Sequence, residues 1–266
     1  MKNSLEIKDL NISLVGNKNP LVQNLSFDVR KGKILGIVGE SGSGKTLTCK
    51  AIIKLLNEKV FKVSGSIKLD GNNILTMSEK QSRAVIGKDI SMIMQNPMTA
   101  FNPMMKIGQH IVETIKAHTE LTKKQAYALG SSALEEMNLQ RVAEIMNSYP
   151  HTLSGGMLQR VMIAIALMLE PSIIIADEAT TALDVKNQAI ILEQFQRMRD
   201  IGIGLLVVTH DFGVIAQVAD DVLVMKAGEI IEQGSVYQIF YNPKTEYTKE
   251  LLQSRFLVDE EQLCLV

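Results

Sequence analysis

The segment that most restricts the fold is residues 34–58, where the apolar run ILGIV enters GESGSGKT and then the helical stretch TLTCKAIIKLLNE. An aliphatic run, a glycine-rich loop and a helix in that order form the context in which such a loop can hold a phosphate chain. Gly39, Gly42 and Gly44 let the backbone curl, so that the amides through Glu40, Ser41 and Ser43 turn inward while the following helix presents its positive end. Lys45 is placed to reach the β- and γ-phosphates. Thr46 offers a hydroxyl to Mg²⁺, an ion that takes few protein oxygens and completes its shell with phosphate and water. Residues 39–46 are therefore read as a nucleoside triphosphate loop.

Such a loop needs a parallel sheet behind it, and the chain contains one. Continuous apolar runs at 34–38, 90–94, 173–176, 205–209 and 222–225 alternate with helical patterns, which predicts an α/β fold with a mostly parallel core sheet. Short β-like runs between residues 5 and 30, broken by the turn GNKNP, and another at 62–69 predict an N-terminal antiparallel β layer. Between 103 and 149 no strand-like run occurs, and stretches such as IGQHIVETIKAH predict a helical insert with solvated polar faces, His110 and His118 included. The expected organisation is a single domain: a core of 1–96 with 151–236, a helical subdomain at 97–150 and a tail at 237–266.

Composition excludes several function classes. With 28 basic against 29 acidic residues the net charge is −1, too little field to hold a nucleic acid backbone or an anionic lipid surface. Cys49 and Cys264 match no metal or redox spacing, which suits a reducing compartment. The start MKNSLEIKDL has no apolar core of a leader, and the longest apolar run, VMIAIALML, is too short to cross a bilayer. Membrane association is expected through a partner.

A second acidic pair follows another buried run. SIIIADEAT delivers Asp177 and Glu178 to the carboxyl end of a strand, the edge at which such sheets bind ligands. Alone, this would be an ordinary strand end. Downstream of a phosphate loop, Asp177 suits Mg²⁺ and Glu178 suits the polarisation of the attacking water. LSGGM at 153–157, followed by LQRVMIAIAL, then makes the pattern specific, since it resembles the signature segment of the ABC ATPase family. Ser154 would cap a helix whose free amides, with Gly155 and Gly156 permitting close approach, form another anion site.

The resemblance to that family covers nearly the whole chain. It implies a P-loop NTPase fold of ABC cassette type, ATP and Mg²⁺ as ligands, and a signature that closes over nucleotide bound by a second cassette. It further implies that Gln95 in MIMQNP matches the Q-loop, a Mg²⁺ ligand and reporter to the membrane partner. Asp184 in TALD matches the dimer-interface D-loop, and His210 in VVTHD the switch histidine that contacts the γ-phosphate. Two departures are visible. No Phe, Tyr or Trp precedes Phe27, so adenine would rest on Leu14 or Val15, and Ala179 stands where proline is usual.

QNPMTAFNP at 95–103, YPHTLSGGMLQR and NPKTEYTKELL resemble the peptide and nickel importer branch, although Thr245 and Glu246 stand where His and Pro are common. LTC after the phosphate loop, Phe101, Leu158 and the short tail are most similar to the nickel-import ATPases. The implied function is the ATP-hydrolysing subunit of an importer for nickel or a related metal complex, with oligopeptide or dipeptide import as the alternative. A soluble ABC ATPase is the more remote one, because the chain has one cassette and no heptad run. The implied partners are two permeases, a second and different ATP-binding subunit and, indirectly, an extracytoplasmic binding protein, at the cytoplasmic face of the membrane. His110, His118, His151 and His210 form no ligand cluster, so the cargo metal would be handled by those partners. Phe101, with Met98 and Met104, is expected to grip a permease helix.

Overall fold

A computed structural model describes residues 5–17, 19–181 and 184–256. Cys264 and residues 182–183 of the D-loop motif lie outside them. In chain order the elements begin with β1 (Leu5–Leu14), β2 (Pro20–Val29), β3 (Ile34–Val38), α1 (Lys45–Ile52), β4 (Phe61–Leu69) and β5 (Asn72–Asn73). Next come α2 (Glu79–Val85), β6 (Ile90–Ile93), α3 (Pro97–Ala100), α4 (Ile107–His118), α5 (Lys123–Glu136), α6 (Val142–Asn147), α7 (Gly155–Leu167), β7 (Ile173–Asp177) and α8 (Val185–Asp200). The chain closes with β8 (Gly204–Val208), α9 (Phe212–Val218), β9 (Asp221–Lys226), β10 (Glu229–Ser235), α10 (Val236–Tyr241) and α11 (Glu246–Phe256). Two compact units result, Met1–Thr76 with Met198–Val266, and Met77–Arg197.

In the first unit an antiparallel sheet runs in the order β2-β1-β4-β5. Its inner face is the alternating set Leu5, Ile7, Leu10 and Ile12 of β1, all buried, opposite Leu25, Phe27 and Val29 of β2. The ladder shifts register between Ile7 and Leu10, where Asp9 takes φ +47° and its amide donates to Ser26 Oγ at 3.0 Å. Such a bulge keeps the apolar residues on one face across the irregularity. The same unit holds β10-β9-β3-β8 side by side, with β3 parallel to both β8 and β9. All five residues of β3 and all five of β8 are buried, as expected of strands covered on both faces.

β10 pairs antiparallel to β9 through a turn of Ala227 and Gly228, both at positive φ. Two such residues give the primed turn whose twist suits a two-residue hairpin. No apolar run announces β10, because its EIIEQGS is largely half-exposed and carries no continuous core stripe.

The second unit pairs β6 with β7 in parallel, Ile90 opposite Ile173 through Ile93 opposite Ala176. Its helices bear out the absence of strand signal at 103–149. α4 turns Ile107, Ile111 and Ile115 inward at helical spacing. α5 begins at a reciprocal cap in which the Thr122 hydroxyl accepts from the Gln125 amide and the Gln125 side chain accepts from the Thr122 amide. The same device, Ser78 with Gln81, starts α2. None of the described helices is long and apolar enough to cross a membrane.

Candidate nucleotide site and the catalytic loop

Residues 39–46 join the buried end of β3 to the first turn of α1, as the strand, loop and helix pattern requires. Gly39 has φ +152°, and a Cβ there would lie 2.2 Å from the Met225 carbonyl oxygen. Only glycine fits that approach. Lys45 is buried and its ammonium donates to the Gly39 and Glu40 carbonyls, each at 2.8 Å, and to Ser43 Oγ at 3.3 Å. Three donors on one nitrogen converge on the mouth of the loop, while Thr46 stays exposed beside it. From the far side, the Gly228 amide donates to the Ser43 carbonyl at 3.0 Å.

His210 follows β8, the strand parallel to β3, so both chains leave the sheet along the same edge. Its backbone is fixed on either side: the Thr209 amide donates to the Ile37 carbonyl at 3.2 Å, and the Asp211 amide donates to Thr209 Oγ1 at 3.0 Å. Asp211 then caps α9, accepting from the Gly213 and Val214 amides at 2.8 and 3.2 Å. A tail residue that sequence inspection passes over also reaches this loop. Tyr247 of α11 is buried, its hydroxyl accepts from the Glu40 amide at 3.4 Å, and Lys226 lies 4.2 Å above its ring. Burial pushes the Tyr247 hydroxyl pKa above its ordinary value.

In the second unit β7 carries Asp177, nearly fully buried, to its carboxyl end, and Glu178 follows at φ +48°. The left-handed region is unfavourable for a residue with a Cβ and persists where its surroundings hold it. Gln95, two residues beyond β6, donates Nε2–H to Glu178 Oε2 at 2.8 Å. Thr181 donates its hydroxyl to the same oxygen at 3.3 Å and its amide to the Glu178 carbonyl at 3.1 Å. The pairing of β6 with β7 is what brings Gln95 and Glu178 together.

Ser154 caps α7, its hydroxyl accepting from the Met157 amide at 3.3 Å, so the signature stands at a helix amino terminus of thirteen residues. Gly155 is open to solvent on its side-chain face, whereas a Cβ at Gly156 would meet the Asn187 side chain at 2.9 Å. Asn187 in turn donates its backbone and side-chain amides to the Asp184 carboxylate at 2.8 and 2.7 Å. Those amides hold the exposed Asp184 carboxyl below its ordinary pKa. One turn into α7, buried Gln159 donates Nε2–H to the Ala179 carbonyl at 2.9 Å. Sequence reading missed Gln159, because beside Arg160 and ahead of the apolar run that starts at Val161 it looks like any polar residue of a helix's first turns.

Two expectations change. Phe101 is 7% exposed, its ring T-shaped against that of His110 with centroids 5.2 Å apart, so it packs inside its own unit, while Met98 and Met104 remain exposed. His110 and His118 are half-buried, not solvated. Burial, then Lys88, lowers the pKa of His118, and its Nδ1 meets no protein partner. Val15 is 58% exposed and shares a cavity of about 380 Å³ with Phe61, the residue opposite Leu14 across the β1–β4 ladder.

The profile of the ABC transporter family matches residues 22–181. The chain belongs to the ABC transporter family. Among its relatives, the metal-staphylopine import system ATP-binding protein CntD of Staphylococcus aureus strain NCTC 8325 is 41% identical over 257 residues, covering 96% of this chain and 94% of that one. The oligopeptide transport ATP-binding protein OppD of Bacillus subtilis strain 168 is 45% identical over 255 residues, covering 94% and 71%. The solved structure of cbiO1 from Clostridium perfringens superposes with a TM-score of 0.77 over the full length of both chains at 22% identity, which bears out the cassette fold. This member is accordingly an ATPase of the importer branch, an α/β cassette with an antiparallel N-terminal sheet, a mixed sheet with parallel strands and a helical insert.

Proposed function

We propose that this ATPase drives uptake of a metal complex, nickel or a related metal, through two permease subunits at the cytoplasmic face of the membrane, paired with a second, different cassette. A binding protein outside the membrane would deliver the cargo to the permeases. Support for the metal reading comes from the CntD relative, 41% identical over 96% of this chain. The higher identity to that OppD supports the second reading, import of oligopeptides. The exposed Met98 and Met104, at the start of the helical segment, suit contact with a permease helix.

In this reading, residues 39–46 cradle the phosphates of ATP and Lys45 turns its donors to the β- and γ-phosphates. The residues also fit Mg²⁺. Thr46 in the first unit, and Asp177 and Gln95 in the second, each offer the hard oxygen donors that Mg²⁺ takes, an ion that completes its shell with phosphate and water. That ion would neutralise charge developing on the phosphates. Glu178 accepts the proton of the attacking water, His210 steadies the γ-phosphate, and Ser154, Gly155 and Gly156 close over the nucleotide of the partner cassette, with Asp184 at the interface.

The observation that carries the reading is the Gln95–Glu178 pair at 2.8 Å, which sets a carboxylate at the carboxyl edge of the strand that delivers Asp177. Glu178→Gln should keep ATP binding, lower turnover by about 10²–10⁴-fold and trap an ATP-bound dimer. Normal turnover would mean that another group activates the water. For the cargo, uptake of radioactive nickel with a chelating ligand is compared with uptake of a labelled peptide in cells expressing the whole transporter. Peptide uptake without nickel uptake would favour the second reading.

A further inference from the structure

We propose that Gln159 is a positioning residue for hydrolysis: its Nε2–H···O bond to the Ala179 carbonyl fixes the backbone that aims Glu178 and ties that backbone to the signature helix. The inference rests on Glu178 being the base. Gln159 is 1% exposed and lies on α7 among Leu158, Val161, Met162 and Ile163, all buried. A primary amide in such surroundings is costly unless its hydrogens are used. Here the bond is made at 2.9 Å to the carbonyl of Ala179, in the peptide one residue beyond Glu178.

That peptide is where a brace has most effect. Glu178 sits at φ +48°, so its backbone relaxes toward the common regions unless neighbours prevent it. The side chain is steadied from one side by Gln95 and Thr181. Neither of those contacts fixes the plane of the peptide that leaves Ala179. Gln159 does, and it does so from a helix whose capped start, Ser154, lies five residues earlier, at the signature proposed above to close over nucleotide. A shift of α7 as the signature engages nucleotide is thereby passed by one hydrogen bond to the carboxylate serving the chain's own nucleotide. The brace uses a backbone carbonyl, so it is indifferent to alanine standing at 179 in place of proline.

The test is a double-mutant cycle on the full chain, with ATP turnover, ATP affinity and melting temperature measured for each protein. Gln159→Met keeps the volume and removes the donor. It should lower turnover by about 10–100-fold, the range for a reacting group held slightly out of place. ATP affinity should stay within about twofold and the melting temperature within about 5 °C. In the Glu178→Gln background the same change should have no further effect, since there is no base left to aim, and the ATP-trapped dimer should form as before. Gln159→Asn, one methylene shorter, provides a second variant should Gln159→Met fold poorly, with turnover between the two. An equal fractional loss of turnover in both backgrounds, or a loss of ATP affinity in step with stability, would show that Gln159 is a core residue and overturn the proposal. Full turnover by Glu178→Gln alone would instead sink the assignment of the base, a failure visible before Gln159 is touched.

Discussion

Phe101→Ala separates a packing role from a docking role in the segment after Gln95. Phe101 is 7% exposed, lies beside α3 and makes a T-shaped contact with the ring of His110, whose Nε2 is 3.1 Å from the Asn102 carbonyl. Truncating a buried phenylalanine removes its transfer energy and leaves a cavity, together about 3–5 kcal/mol. At about 2–4 °C per kcal/mol for a protein of this size, the melting temperature should fall by roughly 6–20 °C. Met104→Ala, at a residue 82% exposed, should stay within about 0.5 kcal/mol of the parent. Thermal unfolding followed by circular dichroism reads both. A Phe101→Ala shift under about 2 °C, with binding to the membrane subunits lost, would refute the buried assignment and restore Phe101 to the permease surface.

Lys45→Ala removes the three donors at the loop mouth, and calorimetry should show Mg·ATP affinity lower by about 10–100-fold, corresponding to a lost charge-assisted contact; unchanged affinity would sink the phosphate-loop reading. Glu232 of β10 accepts from the Lys244 and Thr245 amides and from the Thr245 hydroxyl, at 2.7, 3.1 and 2.9 Å. Burial pushes its carboxyl up, but these donors and Thr248 more than offset that and leave it below its ordinary value. A depressed carboxyl contributes stability that is present above the unfolded value and lost as pH falls through the folded one. Glu232→Gln should therefore cost about 1.5–3 kcal/mol at neutral pH and flatten the acid limb of a stability-against-pH curve; a limb that persists unchanged in the variant would assign the acid sensitivity elsewhere.

What could be read from the sequence was whatever leaves a local pattern. The buried strands β3, β6, β7, β8 and β9 are continuous aliphatic runs, and the chain carries Gly39 and His210 just beyond β3 and β8 in one unit and Gln95 and Glu178 just beyond β6 and β7 in the other, so these strand ends could be located without coordinates. β10 could not, because an antiparallel edge strand with half-exposed side chains owes its place to the turn at 227–228 and to pairing with β9. α2 did carry a signal, the Ser78–Gln81 cap, in a segment where apolar periodicity is too short to point to a helix.

The residues that periodicity hid share a different property: each acts on a backbone group far away in the chain. Gln159 serves the carbonyl of Ala179, Tyr247 the amide of Glu40, and Glu232 the amides that open the path into α11. A donor or acceptor of this kind looks like any buried polar residue until its partner is known, since backbone atoms leave no trace in sequence. Thr245 illustrates the consequence. It departs from the histidine common in the branch, yet its amide and hydroxyl both donate to Glu232, so the substitution is compatible with a tail anchored to β10. Through Tyr247 that anchor extends to the phosphate loop itself. The tail therefore belongs to the nucleotide-binding unit physically, and changes there should be judged by what they do to the Glu40 amide as well as to α11.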